Sequence, residues 1–319
     1  MPHANRRLTG FLVVLILVIA VLFVGSHIYR NRDHREHFLE KKGELVRITD
    51  SLMTDTGDHL LFDVELENAE GIRLAALLKV PKPTSDPGVA YPVIVMLAGL
   101  RTGKKSLEFV KDPGNVILFA LDYPYEGKVS KLGWWEFIVR LPAMRRAVLN
   151  TVPAVMLGVD YLCQRNDVDQ TRIILAGGSI GALFAPAVGA ADNRIAAVAL
   201  LFGAGDLEAI FEANMNLPVG LGGPAAWLCG LITSPVEPLK YIERISPRPL
   251  LMINGSDDPK LPERCIKGLY ERARQPKTIR WFPTGHVDIR STEFHEKIRE
   301  ELVLWLGEND LVEADASRP

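Results

Sequence analysis

Cysteine is scarce in this chain of 319 residues: there are three, Cys163, Cys229 and Cys265, and none stands at a metal-ligand spacing from another. Three thiols cannot all pair, so a disulfide framework and a thiolate metal site are excluded as organising principles, and the three read as small core residues. Charge of one sign is missing as well. With 37 Lys and Arg against 39 Asp and Glu, the formal net charge is −2, which gives no electrostatic case for a nucleic-acid partner. Repeats and low-complexity tracts are absent, which removes solenoids and linker arrays. A phosphate loop fails too. Gly99-Leu100-Arg101-Thr102-Gly103-Lys104 has one residue too few between its glycines and no Ser or Thr after the lysine. What is plentiful is apolar side chain, at 48%, with 26 glycines, enough for one large core plus an appendage.

The densest signal is Gly177-Gly178-Ser179-Ile180-Gly181. Upstream, Arg172-Ile173-Ile174-Leu175-Ala176 is the short apolar run of a buried parallel strand. Downstream, Ala182-Leu183-Phe184-Ala185-Pro186-Ala187-Val188 is rich in small residues and suits a helix packed tightly on a sheet. A G-x-S-x-G between strand and helix forces a turn so sharp that the serine takes a strained conformation and only glycine fits beside it. The hydroxyl then stands clear of the sheet at the positive end of a helix, where negative charge is stabilised. Ser179 is therefore the candidate nucleophile.

A serine hydroxyl needs a base. Of seven histidines, His3, His27, His34 and His37 lie in the N-terminal region, His59 sits in a polar turn, and His295 falls inside a C-terminal helix expected from Thr292 to Leu306. His286 follows the strand-like run Thr278–Phe282 on a loop, where a base would be presented. The imidazole in turn needs a carboxylate to fix its tautomer. Pro249–Asn254 reads as a buried strand ending in Gly255-Ser256-Asp257-Asp258, and on spacing alone either aspartate reaches. The chain order is serine, aspartate, histidine.

From Gly43 to Gly307 the chain resembles the α/β-hydrolase superfamily, in particular dienelactone-hydrolase-like and prolyl-oligopeptidase-like members. Tyr91–Leu100 looks like the first core strand and oxyanion loop, with Ala98 where the family usually has histidine. Val168–Ile173 looks like the approach to the serine turn, and Gly285-His286 like the family's terminal Gly-His. Gly255–Asp258 resembles the family's G-x-x-D acid turn, which implies Asp258 as the acid rather than Asp257. The resemblance further implies backbone donors at Ile180 and, by position, Leu100 for an oxyanion, a small-molecule acyl substrate, and no cofactor or metal. Carboxylic esters are the expected substrates. A peptidase or thioesterase of the same fold and a non-catalytic binding domain are the alternatives, and the complete Ser179–Asp258–His286 set speaks against the last.

The N-terminus forms a separate unit. Leu8 to Gly25 is 18 residues without a charge, about 27 Å as a helix, close to the ~30 Å of a bilayer core. After a short flank (1–7), residues 8–25 are expected to be a retained transmembrane anchor. A cleaved signal peptide ending near Val24-Gly25-Ser26 is the rival, although the run is long for one. Arg6, Arg7 and the amino terminus argue for an extracytoplasmic domain, yet Arg30, Arg32, Arg35, Lys41 and Lys42 load the other flank, so the count leaves the side open. Residues 26–42 are expected to be a charged spacer holding the domain off the bilayer.

Beyond the spacer, Glu44–Ile48, Leu60–Leu66 and Gly71–Pro81 alternate like antiparallel strands. Val93–Leu97, Val116–Leu121, Ile173–Ala176, Ala196–Leu201, Leu250–Asn254 and Ile279–Phe282 alternate with helical stretches, which predicts a mostly parallel, doubly wound α/β sheet over residues 43–307. Two regions exceed that fold. Lys128–Val155 carries Trp134, Trp135, Phe137 and Ile138 among basic residues, and suits pocket lining or packing equally. Residues 205–240 fall where a lid is commonly inserted. Arg101, Lys104 and Lys105 read as a solvated basic loop, and residues 308–319 as a polar tail.

Overall fold

Alternating apolar and polar residues open the sheet. In the computed structural model, which describes residues 2–55, 57–82, 88–99, 101–125, 127, 134–215, 217, 220–286 and 292–313, strands β1 (Leu45–Asp55), β2 (His59–Asn68) and β3 (Arg73–Pro81) pair antiparallel. Six further strands follow: β4 (Tyr91–Leu97), β5 (Ile117–Leu121), β6 (Val168–Gly178), β7 (Ile195–Leu201), β8 (Leu250–Gly255) and β9 (Lys277–Phe282). The order is β1-β2-β3-β5-β4-β6-β7-β8-β9, parallel from β5 onward, so the predicted mostly parallel sheet is the observed one. The central strands are unbroken apolar runs because both faces are covered: every residue of β5 is buried.

The helices are α1 (Pro2–Asn31), α2 (Arg35–Lys42), α3 (Trp134–Leu162), α4 (Ile180–Ala191), α5 (Leu207–Asn214), α6 (Gly222–Thr233), α7 (Pro238–Tyr241), α8 (Glu263–Arg272) and α9 (Thr292–Glu308). Helices α3 and α4 pack on one face of the sheet through small residues. A side chain at Gly158 would meet Phe119, and one at Gly189 would meet Val198. Helix α9 lies over the other face. Among the described residues, the only helix between β4 and β5 is a 3₁₀ turn, Gly103–Phe109.

Residues 26–42 are not a free spacer. Helix α1 continues to Asn31, and α2 docks on the domain with Phe38 fully buried. Asn68 Nδ2 donates to the carbonyls of Lys41 (2.9 Å) and Lys42 (2.6 Å), while Lys42 pairs with Asp160 at 2.6 Å. Arg30 pairs with Glu208 on α5. A charge count registers these residues as solvated; the structure gives several of them partners on the domain, and one phenylalanine supplies the apolar contact. The C-terminal tail is similarly drawn in at its start, with Leu311 buried and its N–H donating to Leu306 O at 2.9 Å. Residues 205–240 form α5, α6, a 3₁₀ turn and α7; Glu237 ties them together, accepting from the N–H groups of Asp206 (2.9 Å), Leu207 (2.8 Å) and Leu239 (3.2 Å).

The docked N-terminal segment carries its own pH sensitivity. His34 is buried against Tyr241, whose hydroxyl accepts its N–H, and its Nδ1–H donates to Arg32 O at 2.9 Å. Burial, then the Lys240 cation, hold its imidazole down to about 4 despite that hydrogen bond. The folded protein holds His34 neutral while the unfolded chain protonates it near 6.5, so its contribution is present above 6.5 and lost as pH falls toward 4. In a chain shortened to begin at Ser26, thermal unfolding at pH 7.5 and pH 5 should show a loss on acidification on the order of 1–2 kcal/mol larger for wild type than for His34→Gln. Equal losses would remove His34 as the source.

Candidate active site

Everything in the site is built on the junction between β6 and α4. Ser179, between Gly178 and Ile180, has φ 53° and ψ −114°, a left-handed backbone that costs a non-glycine residue roughly 1–3 kcal/mol. Its neighbours hold it there. Its N–H donates to Leu201 O at 2.8 Å, and its carbonyl accepts from Ala182 N–H at 3.0 Å. A Cβ on Gly181 would collide with Leu97 O, and one on Gly177 would lie 2.6 Å from Gly181 O. At Gly178 the nearest atom to such a Cβ is 3.9 Å away, so that position has room for a side chain. The hydroxyl sits at the N-terminus of a 12-residue helix, where Ile180 N–H belongs to the donors that a helix leaves without an internal acceptor.

Two further loops meet this serine. Ser179 Oγ donates to His286 Nε2 at 2.8 Å, and His286 Nδ1–H donates to Asp258 Oδ2 at 2.7 Å. This tautomer follows from the carboxylate. Burial raises the Asp258 carboxyl, but His286 and the N–H groups of Lys260 (2.8 Å) and Leu261 (3.2 Å) outweigh it, and the net shift is downward. An ionised Asp258 takes the proton-bearing Nδ1 and leaves Nε2 as an acceptor. Side-chain exposure falls from 11% at His286 to 1% at Asp258, so the acid is sealed behind the imidazole. Asp257 points elsewhere, exposed, and accepts from Ser256 Oγ at 3.0 Å. Gly255 permits the approach of these loops, since a side chain there would strike the Thr284 and Gly285 carbonyls.

The structure thus brings together Ser179, Asp258, His286 and the N–H of Ile180. Leu100 lies outside the described residues. The loop around it is pinned: Tyr123 Oη donates to Ala98 O at 2.5 Å, Thr102 Oγ1 to Gly99 O at 2.8 Å, and Lys104 N–H to Asp122 Oδ1 at 2.8 Å. Lys104 is no solvated lysine, since it pairs with Asp63 at 2.6 Å. Two contributors were not read from the sequence. Tyr123 carries no motif, and burial raises its phenol pKa, keeping it a donor. Phe202, at φ 57°, sets its ring edge-on to His286 at 5.6 Å; a lone aromatic after an apolar strand gives no signal of either. Among the described residues no group of three or more His, Cys, Asp or Glu is placed to hold a metal ion.

A cleft of about 1100 Å³ opens at Ser179 and His286 and runs beneath α9. Among the described residues, none from 205–240, the expected lid, lines it.

No protein-family model matches the chain. Among curated proteins it is similar to uncharacterized protein YfhR of Escherichia coli K12, 32% identical over 148 residues, 46% of this chain and 49% of the relative. YfhR of Salmonella typhi is 27% identical over 198 residues, 60% of this chain and 62% of the relative. The chain spans about half the length of the first of these and under two thirds of the second. Among solved structures, the acetyl xylan esterase of Paenibacillus sp. R4 superposes with a TM-score of 0.67 at 19% identity, over 84% of this chain and 92% of that one. Acetyl xylan esterase 1 of Thermoanaerobacterium sp. JW/SL YS485 gives 0.60 at 14%, over 85% and 93%. The esterase PF2001 of Pyrococcus furiosus gives 0.54 at 19%, over 83% and 98%. At these identities the likeness shows the fold.

The serine turn should tolerate change at one glycine and not at another. Gly181→Ala forces a methyl onto Leu97 O and is expected to cost about 2–4 kcal/mol or abolish folding, while Gly178→Ala stays within about 1 kcal/mol. Paired thermal denaturation checks this, and equal Tm values would show that the junction has slack.

Proposed function

Starting from an α/β-hydrolase fold, we propose that this chain is a membrane-anchored serine hydrolase that cleaves carboxylic esters. The observation that carries the reading is the continuous line from a strained Ser179 through His286 to a sealed Asp258, at 2.8 and 2.7 Å. The esterases it superposes on support the same chemistry by analogy of fold.

In the proposed reaction, Ser179 Oγ attacks the acyl carbon as His286 Nε2 takes its proton. Asp258 holds the imidazole in register and stabilises the imidazolium. The negative oxygen of the tetrahedral intermediate is held by Ile180 N–H and, on the expectation from position, Leu100 N–H, each such donor contributing on the order of 10²–10³ in rate. His286 then protonates the leaving alcohol. Water, deprotonated by the same imidazole, attacks the acyl-enzyme and returns Ser179 with release of the acid.

The anchor is argued from α1. Val13–Asn31 is a 19-residue apolar stretch of mean hydropathy 2.2. Its end docks on the domain through Arg30, which lies against Gly230 of α6, and Tyr29, whose hydroxyl accepts from Arg145 of α3 at 3.1 Å. Those two flanking helices expose large apolar residues: Trp135 (66%) and Val139 on α3, Trp227 on α6. Exposed aromatics on helices that contact an apolar helix suit a membrane interface.

Two measurements test this. A fluorophosphonate probe should label the wild-type chain and not Ser179→Ala, and Asp258→Asn should lose about 10⁴ in ester turnover against a few-fold for Asp257→Asn. Undiminished labelling of Ser179→Ala refutes the nucleophile. Full-length protein should stay in the membrane fraction through carbonate extraction, whereas a chain beginning at Ser26, upstream of the buried Phe38, should not. A mature N-terminus near His27 would show a cleaved signal instead.

A further inference from the structure

The cleft beneath α9 exists because of what the connection between β4 and β5 omits. A crossover between parallel strands ordinarily lays an α-helix on the sheet. Here the described part of that connection holds only the seven-residue turn Gly103–Phe109. The face of β4 and β5 beside it is left to a void of about 1100 Å³. The register fixes the floor. Ile94 pairs with Leu118 on one side and Ile174 on the other, and Met96 with Ala176, so these residues share a face. Ile94, Met96, Leu118 and Ala176 line the void, which also takes in Gly178 beside Ser179. The roof is α9, whose apolar stripe Phe294, Ile298, Leu302 and Leu306, spaced four apart, is flanked by His295, Glu296, Arg299 and Val303.

The void also has a direction. Its lining takes in β4 from Tyr91 at the start to Leu97 at the end, next to the serine turn. The six steps between its seven residues, at ~3.3 Å each, give roughly 20 Å. Charged residues stand at its rim with partners of their own: Arg172 pairs with Asp169 at 2.6 Å and Arg299 with Glu296 at 2.8 Å. A passage with an apolar floor, flanked by charged side chains and beginning at the attacking oxygen, fits an extended hydrocarbon chain.

We propose that this passage binds the acyl chain of the substrate, and that the substrates are esters of long-chain fatty acids. The proposal rests on the serine hydrolase reading above. Acetyl esters fit the reacting centre alone and leave the passage empty. A long acyl chain gains the burial of its methylenes, so that losing as few as two is worth about tenfold.

The test uses the full-length chain in phosphatidylcholine vesicles and p-nitrophenyl esters from acetate to palmitate. Wild type should favour the long acyl chains in kcat/KM. Leu302→Trp and Ile298→Trp, which fill the roof, should lower the palmitate-to-acetate ratio by at least about tenfold. Leu304→Trp, on the exposed side of α9, should leave both rates as they are. A ratio unmoved by both roof variants overturns the proposal, as does a wild-type preference for acetates of long-chain alcohols over p-nitrophenyl palmitate. If wild type hydrolyses no ester and takes no fluorophosphonate label, the hydrolase reading falls, and the passage is judged by binding of a fluorescent long-chain fatty acid. Saturable binding lost in Leu302→Trp upholds the passage, and equal or absent binding overturns it.

Discussion

Leu97 is the last residue of β4, and its carbonyl stands where a methyl on Gly181 would have to go. That close approach sets the distance between the central strand and the serine helix, and most of the site is a consequence of it. With α4 pressed against the end of β4, the chain has no room for a relaxed turn between β6 and α4, and Ser179 is forced to φ 53°. The same compression brings Ser179 N–H onto Leu201 O, so three neighbouring strands meet at one point. The strain is held by the parallel sheet, whose central strands are buried on both faces and cannot shift singly.

The loops that reach this point are held by different means, and that difference decides what the sequence discloses. Glycines that permit close backbone contact leave a mark: Gly177, Gly181 and Gly255 each stand where a side chain would strike a neighbouring strand or loop. The turn at Ser179 and the pair Gly255–Asp258 were legible for that reason, and the six parallel strands because an apolar run between polar turns has few other uses; of β1, exposed at nearly every position, alternation disclosed only the first part. Side chains that reach in from a distance leave none. Tyr123 fixes the Ala98 carbonyl from 25 residues away, and Phe202 faces His286 across the end of the sheet. The expected spacer failed for a related reason. A run rich in Arg, Lys and Glu has the composition of solvated chain, and only the surface it meets, with Asn68, Asp160 and Glu208, makes it part of the fold.

On the anchored reading, the docked segment would change the geometry of anchoring. A flexible tether of 17 residues, 26 to 42, would let the domain sample all orientations above a bilayer. A continuous helix to Asn31, followed by a second helix with a buried phenylalanine, ties the domain's orientation to that of α1. The ties spread over the domain, to Asn68 on β2, Arg145 and Asp160 on α3, Glu208 on α5 and Tyr241 on α7.

The two faces of the sheet divide the work. On the α3 and α4 face, small residues allow contact so tight that side chains at Gly158, Gly181 and Gly189 would clash. That face supplies the rigidity that a strained serine requires. The opposite face is hollow beside β4, and hollowness costs stability, on the order of 20 cal/mol for each Å² of apolar cavity wall left without a neighbour. A chain that only needed to fold would fill that space with the customary crossover helix. Keeping it open, lined with Ile94, Met96 and Leu118 and roofed by one apolar stripe, is sensible where an apolar guest restores the missing contacts. On that account the chain should be more stable with its passage occupied than empty, because a ligand that binds only the folded state adds its binding free energy to the folding free energy. The strain at Ser179 is thus tolerated by one face, and on the proposed reading the other is left open for the acyl chain of the substrate.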